Sequence, residues 1–411
     1  MATPISPSSA QTTTPNQHAL AQNFVTLDNF YDRSEVSMDG WPWSVSARSP
    51  DIVEKMVTVN YASKGQRGAP SVLSNDSEGT NRNVNVSLPT LPQRLQADPL
   101  SPNDPDVLPG TADASAPDGP EDEPNTGYRW DAAMRAGVSM RNYGFFLDLA
   151  RYQALPAPYN AITIPLSTNP FSTSTTVAYP TNATLAPVTD PYFRGFDNSF
   201  PDYYRFTEWQ RDFNANYAKG GPAETELRAF HARPPGNFST SIAGVNTPDL
   251  DVADNDYAVG LLVQQIANSQ YKDNTLIFVI EDDSQDGGDH VDSHRSVAFI
   301  VGPYVKQNAV VSTQYNTTDF VRTIETVLGL QPMNLNDALA VPMADVFDLS
   351  QTTWNYTATP SPLLANTTLP ITFPSTMANL HVRPTHDSQY WAEGHGRHGF
   401  QRGGSHRFRP L

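Results

Sequence analysis

Apolar residues follow two different spacings in the last third of the chain. Residues 254–271 and 319–328 carry them three or four positions apart, which predicts two amphipathic helices. Residues 275–280 and 297–301 are apolar almost throughout, which predicts two buried strands. Gly329 directly follows the second helix, and glycine is typical of a helix end. A helix, a strand, a loop, a strand and a helix in this order predict an α/β fold with a covered sheet.

The earlier part of the chain carries weaker patterns. The apolar residues Phe24, Val25 and Leu27 predict a short strand, and the spacing over residues 128–143 predicts a helix. Aromatic side chains recur at near-helical spacing over residues 204–217, which predicts a helix whose aromatic face packs on the core. A platform on which sugars or bases stack is the alternative interpretation of that face.

Proline-rich and polar segments surround these elements. Nine of the 36 prolines fall within residues 89–124, and this composition buries too little apolar surface to fold alone. We predict a disordered lead over residues 1–17 and one domain over residues 18–350, with a Pro-rich insertion over residues 88–125. An irregular extension over residues 351–411 ends in a Gly/Arg/His-rich tail.

Composition excludes several classes of function. The net charge of −17, from 26 Lys and Arg against 43 Asp and Glu, argues against a nucleic-acid partner. The absence of cysteine excludes a disulfide framework, a thiolate metal site and a cysteine nucleophile. No stretch approaches the roughly 20 apolar residues of a membrane span, and residues 1–20 lack the basic and apolar regions of a signal peptide.

The most informative segment is an acidic loop over residues 281–294, which directly follows the strand predicted over residues 275–280. It contains six carboxylates and two histidines, and like charges this close repel unless a cation lies among them. One interpretation is a divalent metal ion held by oxygen and imidazole, since ligands of α/β sheets bind at strand ends. A solvated acidic turn around Gly287 and Gly288 is another. A third is a calcium loop that begins at Asp282, although Ser293 stands where the bidentate glutamate belongs.

Three stretches of the sequence resemble one protein family. They are TPNQHALAQNFVTLDNFYDRSEVSMDGWPWS followed by DIVEKMVTVNYASKG, then TDPYFRGFDNSFPDYYRFTEW through GVNTPDLDVADNDYAVG, and then TLIFVIEDDSQDGGDHVDSHRSVAFIVGPYVKQ and the residues after it. They resemble the phosphoesterase family of the alkaline-phosphatase superfamily, which includes phospholipase C-type enzymes and acid phosphatases. The resemblance covers about residues 14–66, 128–150 and 188–348, in the family's order.

The resemblance implies a fold and a mechanism. The implied fold is alkaline-phosphatase-like, with a mostly parallel central sheet, helices on both faces and long irregular insertions. Family members hold two metal ions beside a Ser or Thr nucleophile, so the expected cofactor is a divalent ion, zinc or manganese, with calcium left open. Asp282 and Asp283 match the acidic pair that ligates one metal, His290 matches the histidine that follows, and His294 is a second candidate. Ser37, within VSMDG, matches the nucleophile, whereas its local sequence alone favours a turn serine.

The sequence departs from the family pattern at two places. The Glu-Asn motif that supplies a carboxylate ligand has no counterpart in residues 1–20, which contain no acidic residue. A family Asp-His pair is replaced by Arg233 and Pro234, with His231 as a displaced candidate. Two expectations follow: a metal-dependent phosphoester hydrolase of which this chain is a truncated form, and an inactive homologue that binds a cation or a partner.

The expected substrate also comes from the family. It is a phosphate-ester small molecule or a phospholipid head group, and neither a nucleic acid nor a membrane span is expected. The family implies an extracytoplasmic protein, whereas the sequence shows no signal peptide. Compartment, oligomeric state and the preference for mono- or diesters stay open.

Overall fold

The computed structural model describes the central and C-terminal parts of the chain with gaps. The described residues are 11–34, 37–49, 127–145, 147–151, 176–180, 183–193, 201–217, 220–222, 224–227, 248–284 and 294–375. The predicted Pro-rich insertion and the Gly/Arg/His-rich tail lie outside them. Within these ranges, no helix is both long and apolar enough to cross a membrane.

Short strands alternate with helices along the described chain. The strands are β1 Val25–Leu27, β2 Phe30–Tyr31, β3 Met140–Tyr143, β4 Leu147–Arg151, β5 Thr176–Pro180, β6 Glu224–Leu227, β7 Ile277–Ile280, β8 Arg295–Ser296, β9 Ala298–Val301, β10 Ala309–Val311 and β11 Tyr315–Asn316. The helices are α1 Pro15–Asn23, α2 Ser37–Ser46, α3 Arg129–Arg135, α4 Asp202–Asp212, α5 Pro248–Ala267, α6 Thr317–Leu328 and α7 Leu335–Leu339. The two helices and two strands predicted between residues 254 and 328 are confirmed as α5, β7, β9 and α6.

A four-stranded sheet with the order β10, β1, β9, β7 forms the centre of the described fold. β1 runs parallel to β10, whereas β9 runs antiparallel to both β1 and β7. The sequence predicts a mostly parallel sheet, and the described strands form a mixed one. The chain leaves β7 through the acidic loop and returns beside it as β9, a return that pairs neighbouring strands antiparallel. β7 stands at the edge of these four strands, so its residues are half-buried rather than buried as predicted.

Helices pack on both faces of this sheet. On one face, Leu20 of α1 and Val263 of α5 pack with Phe299 of β9. On the other face, Phe320 of α6 packs with Ile300 of the same strand. Because successive side chains of a strand point to opposite sides, β9 contributes to both layers of the core. The predicted α/β class, with helices on both faces, is confirmed.

The ordered fold extends beyond the predicted domain at both ends. Residues 15–17, which we predicted to belong to a disordered lead, form the first turn of α1. The carboxylate of Asp256 in α5 accepts the backbone N–H groups of Asn16 and Gln17 at 3.0 and 2.7 Å. These bonds supply the N-terminal cap that the side chains of α1 lack. Trp354, in the predicted irregular extension, is buried in the core.

The helix predicted over residues 128–143 is shorter than its pattern indicates. α3 ends at Arg135, Gly137 has a φ of 72°, and β3 begins at Met140. Glycine adopts this left-handed conformation at little cost, so Gly137 redirects the chain from helix to strand. β3 pairs in parallel with β6, and this distant pairing overrides the local helical spacing.

A buried pair of carboxyl groups joins α6 to α7. Glu325 and Asp337 are both fully buried. Asp337 accepts the backbone N–H groups of Met333 and Asn334 at 2.6 and 2.8 Å, and Arg322 donates to Glu325 at 3.2 Å. Burial first, and then the neighbouring carboxyl group of Asp337, raise the pKa of Glu325 to about 8. At neutral pH Glu325 is therefore mostly protonated.

Glu325→Gln is expected to remove a pH dependence of stability. The pKa of Glu325 is about 8 in the fold against an ordinary value of 4.5, so between these values the folded chain binds the extra proton. The free energy of unfolding of the wild type consequently falls as pH rises from about 4.5 to about 8. Glutamine keeps the size of the side chain without titrating, so at about pH 9 the variant should be more stable than the wild type by several kcal/mol, and near pH 4 the difference should be small. Urea unfolding at both pH values measures the two free energies of unfolding. An equal fall in stability between pH 4 and pH 9 for both proteins would contradict the raised pKa of Glu325.

Candidate functional site

The acidic loop begins where β7 leaves the central sheet. Asp282 and Asp283 follow Glu281 there, and both are half-buried. The backbone of Asp282 lies against Gly40 in α2, so closely that a Cβ atom at position 40 would overlap the Asp282 carbonyl oxygen. Glycine at position 40 thus lets α2 touch the end of the strand.

Ser37 is the first residue of α2, a ten-residue helix. The first N–H groups of a helix have no partner within it and carry the positive end of the helix dipole. A phosphate oxygen is therefore stabilised at such a position. Because Gly40 lies one turn further along the helix, its contact with Asp282 brings the start of α2 to the acidic loop.

Asp32 is a further acidic residue at this place, and it is not among the site residues predicted from the sequence. It follows β2 directly, is 2% exposed, and donates its backbone N–H to the carbonyl oxygen of His294 at 2.8 Å. Burial raises the pKa of Asp32 to about 7, and the nearby Glu281 adds to this rise. Hydrogen bonds from the Ser284 side chain and the Ser34 backbone, and the charge of His294, lower the pKa but do not outweigh burial. The Oδ2 atom of Asp32 has no hydrogen-bond partner.

A weak signal for Asp32 is present in the sequence. An aspartate directly after the apolar residues Phe30 and Tyr31, and shortly before the candidate nucleophile Ser37, is a typical place for a strand-end ligand. The strand is only two residues long, so its pattern does not stand out.

His294 reaches the same place from a third segment. It immediately precedes β8, which pairs antiparallel with β2. This pairing sets the backbone of His294 against that of Asp32. β8 also holds the base of the acidic loop, because the hydroxyl of Ser296 donates to Oε2 of Glu281 at 2.6 Å.

Most of the predicted site residues come together here. Asp282, Asp283, His294 and the helix that begins at Ser37 meet at one end of the sheet, whereas His290 lies outside the described residues. The three residues at the family's altered Asp-His pair also lie outside them. In the part of the chain that the structure describes, no group of three or more His, Asp or Glu side chains is arranged to hold a metal ion. The predicted ligand set therefore stays a prediction.

The chemistry of these residues nevertheless fits a divalent cation. Carboxylate oxygen and imidazole nitrogen are the ligands that such ions take in proteins. The buried Oδ2 of Asp32 lacks a partner, which is costly unless a positive group approaches it. Glu281 raises the pKa of Asp32, and Asp282 raises that of Glu281, so neighbouring acidic side chains at this place repel one another.

Comparisons with known proteins concern the fold. No protein-family model matches this sequence, and neither does any curated protein. A solved protein of the alkaline phosphatase superfamily from Vibrio parahaemolyticus is similar to this chain, with a TM-score of 0.40 and 14% sequence identity. The matched region covers 81% of this chain and 66% of that protein. The phosphonate monoester hydrolase SpPMH from Silicibacter pomeroyi is similar with a TM-score of 0.37 and 12% identity, over 84% of this chain and 73% of that one.

A third solved structure, Ps i-CgsB in complex with k-i-k-neocarrahexaose, has a TM-score of 0.39 and 13% identity, over 80% of this chain and 69% of that one. This chain spans just under two thirds of the length of the Vibrio parahaemolyticus protein. Similarities at this level assign no role to any residue of this chain.

Proposed function

We propose that this chain is a metal-dependent hydrolase of phosphoric esters with Ser37 as its nucleophile. The observation that carries the proposal is the close contact between Gly40 and the backbone of Asp282, which joins the start of α2 to the acidic end of β7. The phosphoesterase-like motifs around Ser37 and around Asp282 and Asp283 lie far apart in the sequence. Their meeting at one end of the sheet is what a shared active site requires.

Each residue has a role in this proposal. Asp282 and Asp283 hold a divalent cation, with His290 and His294 as candidate imidazole ligands. A bound divalent cation polarises a phosphoryl oxygen and lowers the pKa of a neighbouring hydroxyl. The Ser37 hydroxyl loses its proton to solvent as its oxygen bonds to phosphorus, and the ester oxygen leaves and takes up a proton from solvent. Water then attacks phosphorus and breaks its bond to the Ser37 oxygen, so phosphate is released and a proton from the water restores the hydroxyl. The N–H groups of the first turn of α2 stabilise the phosphoryl oxygens throughout.

The proposed substrates are small phosphate esters and phospholipid head groups. The net charge of −17 supports a small ester, because a strongly acidic protein repels polyanions such as nucleic acids. A locally bound cation and the start of a helix are enough to attract one phosphate group.

An inactive homologue is the second candidate. It is favoured by Arg233 and Pro234, which replace the Asp-His pair of the family, since neither side chain can ligate a cation. Such a protein would bind a cation through the same acidic loop but would not turn substrate over.

Hydrolysis of model phosphoesters separates the two candidates. We strip the protein with EDTA, reload it with Zn²⁺, Mn²⁺ or Ca²⁺, and offer p-nitrophenyl phosphate as the monoester and bis(p-nitrophenyl) phosphate as the diester. The proposal predicts p-nitrophenol release that requires reloading. Binding of a metal without turnover of either ester would favour the inactive homologue, and turnover that is unaffected by EDTA would contradict the role of the metal.

A further inference from the structure

Two distant segments converge on the buried residue Asp32. Its backbone N–H donates to the carbonyl oxygen of His294 at 2.8 Å, and its carboxyl group is hydrogen-bonded to the side chain of Ser284. Ser284 directly follows Asp282 and Asp283 in the acidic loop. Asp32 therefore contacts the segment that carries the acidic pair, although its own strand, β2, belongs to a different sheet from β7.

The carboxyl group of Asp32 is incompletely satisfied. The residue is 2% exposed, yet Oδ2 has no hydrogen-bond partner. Asp256 and Asp337 are equally buried, and both of their carboxylate oxygens accept backbone N–H groups. Buried acceptors in native proteins are nearly always paired, so an unpaired one indicates a partner that the polypeptide does not supply.

Two other buried carboxyl groups with an unpaired oxygen, those of Asp190 and Glu325, have an arginine nearby. Nη2 of Arg211 lies 4.0 Å from Asp190, and Arg322 donates to Glu325 at 3.2 Å. The charged side chains that act on Asp32 are instead those of His294 and Glu281. A histidine is a weaker and titratable cation, and the glutamate adds to the negative charge.

We propose that Asp32 is a ligand of the divalent cation held by Asp282 and Asp283, with Oδ2 as the donor atom. The inference rests on the proposed function, because it requires the cation. An ion at this place gives Oδ2 its missing partner and offsets the repulsion among the neighbouring carboxylates. It also links β2, which leads into α2 and Ser37, to the acidic loop, so the nucleophile and the ligands would be fixed by the same ion.

Stabilisation by Mn²⁺ tests this assignment. Wild-type protein and Asp32→Asn, both stripped with EDTA, are melted over a series of Mn²⁺ concentrations, and the dependence of Tm on concentration gives the affinity. Asparagine keeps the size of aspartate without its charge, so the metal-free variant should melt at or above the wild-type temperature. Its affinity for Mn²⁺ should fall by at least about 10-fold. Asp28→Asn changes an exposed aspartate just before β2 and is the matched control, with wild-type affinity expected.

The outcomes distinguish this inference from the function on which it rests. If Mn²⁺ stabilises the wild type and Asp32→Asn equally, Asp32 is a structural buried acid and the inference is wrong, while the proposed function stands. If neither Mn²⁺ nor Zn²⁺ stabilises the wild type, the cation site itself is wrong. If Asp32→Asn does not fold, Asp32→Glu takes its place: a displaced ligand must change the visible absorption of bound Co²⁺, and an unchanged spectrum overturns the assignment.

Discussion

Ser37→Ala is expected to lower kcat for metal-dependent hydrolysis of p-nitrophenyl phosphate by at least about 10³-fold. The hydroxyl is the group that bonds to phosphorus in the proposed mechanism, so the loss should appear in kcat rather than in KM. Alanine is a good helix former, and the backbone contact between Gly40 and Asp282 stays in place. The free energy of unfolding should therefore change by no more than about 1 kcal/mol.

Ser44→Ala is the matched control for this experiment. Ser44 lies two turns further along α2, and we expect the variant to keep the wild-type kcat. Acid quenching of the wild type during turnover, followed by mass spectrometry of the peptides, should locate a phosphoryl group on the peptide that contains Ser37. Wild-type turnover by Ser37→Ala, or a phosphoryl group on a different peptide, would exclude this serine as the nucleophile.

Gly40→Ala is expected to destabilise the fold by about 3 kcal/mol and to reduce hydrolysis as well. The added methyl group would overlap the backbone carbonyl of Asp282, with the Cβ atom of Ser34 close by. A backbone group cannot rotate aside as the end of a flexible side chain does, so either α2 or the end of β7 must move. Either displacement separates Ser37 from the acidic pair.

Gly137→Ala is the control for the general cost of replacing a glycine. Gly137 has a φ of 72°, and no heavy atom lies within 4 Å of a Cβ atom built on it. Alanine at this position would therefore adopt an unfavourable left-handed backbone conformation without a steric overlap. That cost is about 1 kcal/mol, and hydrolysis should be unaffected. Midpoints of urea unfolding compare the two variants, and a loss for Gly40→Ala no larger than that for Gly137→Ala would refute the close contact.

The four elements α5, β7, β9 and α6 could be predicted because each is long enough for burial to set a clear pattern of apolar residues. α5 and α6 pack against opposite faces of the sheet, and β9 is buried throughout. The spacing of their apolar residues therefore follows which positions are buried. α6 also has its end signals in the sequence, with Asn316 accepting from the N–H of Thr318 and Gly329 in a left-handed conformation. Only the boundaries differ, since α5 begins at Pro248.

The parts that local patterns could not predict depend on pairing between distant segments. Asp28 and Asp32 look alike in the sequence, yet Asp28 is exposed and Asp32 is buried because β2 pairs with β8 and β11. The contact between Gly40 and Asp282 likewise has no local signal. The family resemblance pointed to Ser37 and the acidic pair without showing how they meet, and the burial of Asp32 emerges only from the fold.

Calorimetric titration of Mn²⁺ into metal-free protein tests the central claim, that the acidic end of β7 holds a cation beside the start of α2. The wild type should bind Mn²⁺ saturably. The double variant Asp282→Asn with Asp283→Asn should lose this binding, and it should melt no lower than the metal-free wild type, because two repelling charges are removed. The absence of saturable binding in the wild type, or undiminished binding by the double variant, would contradict the account.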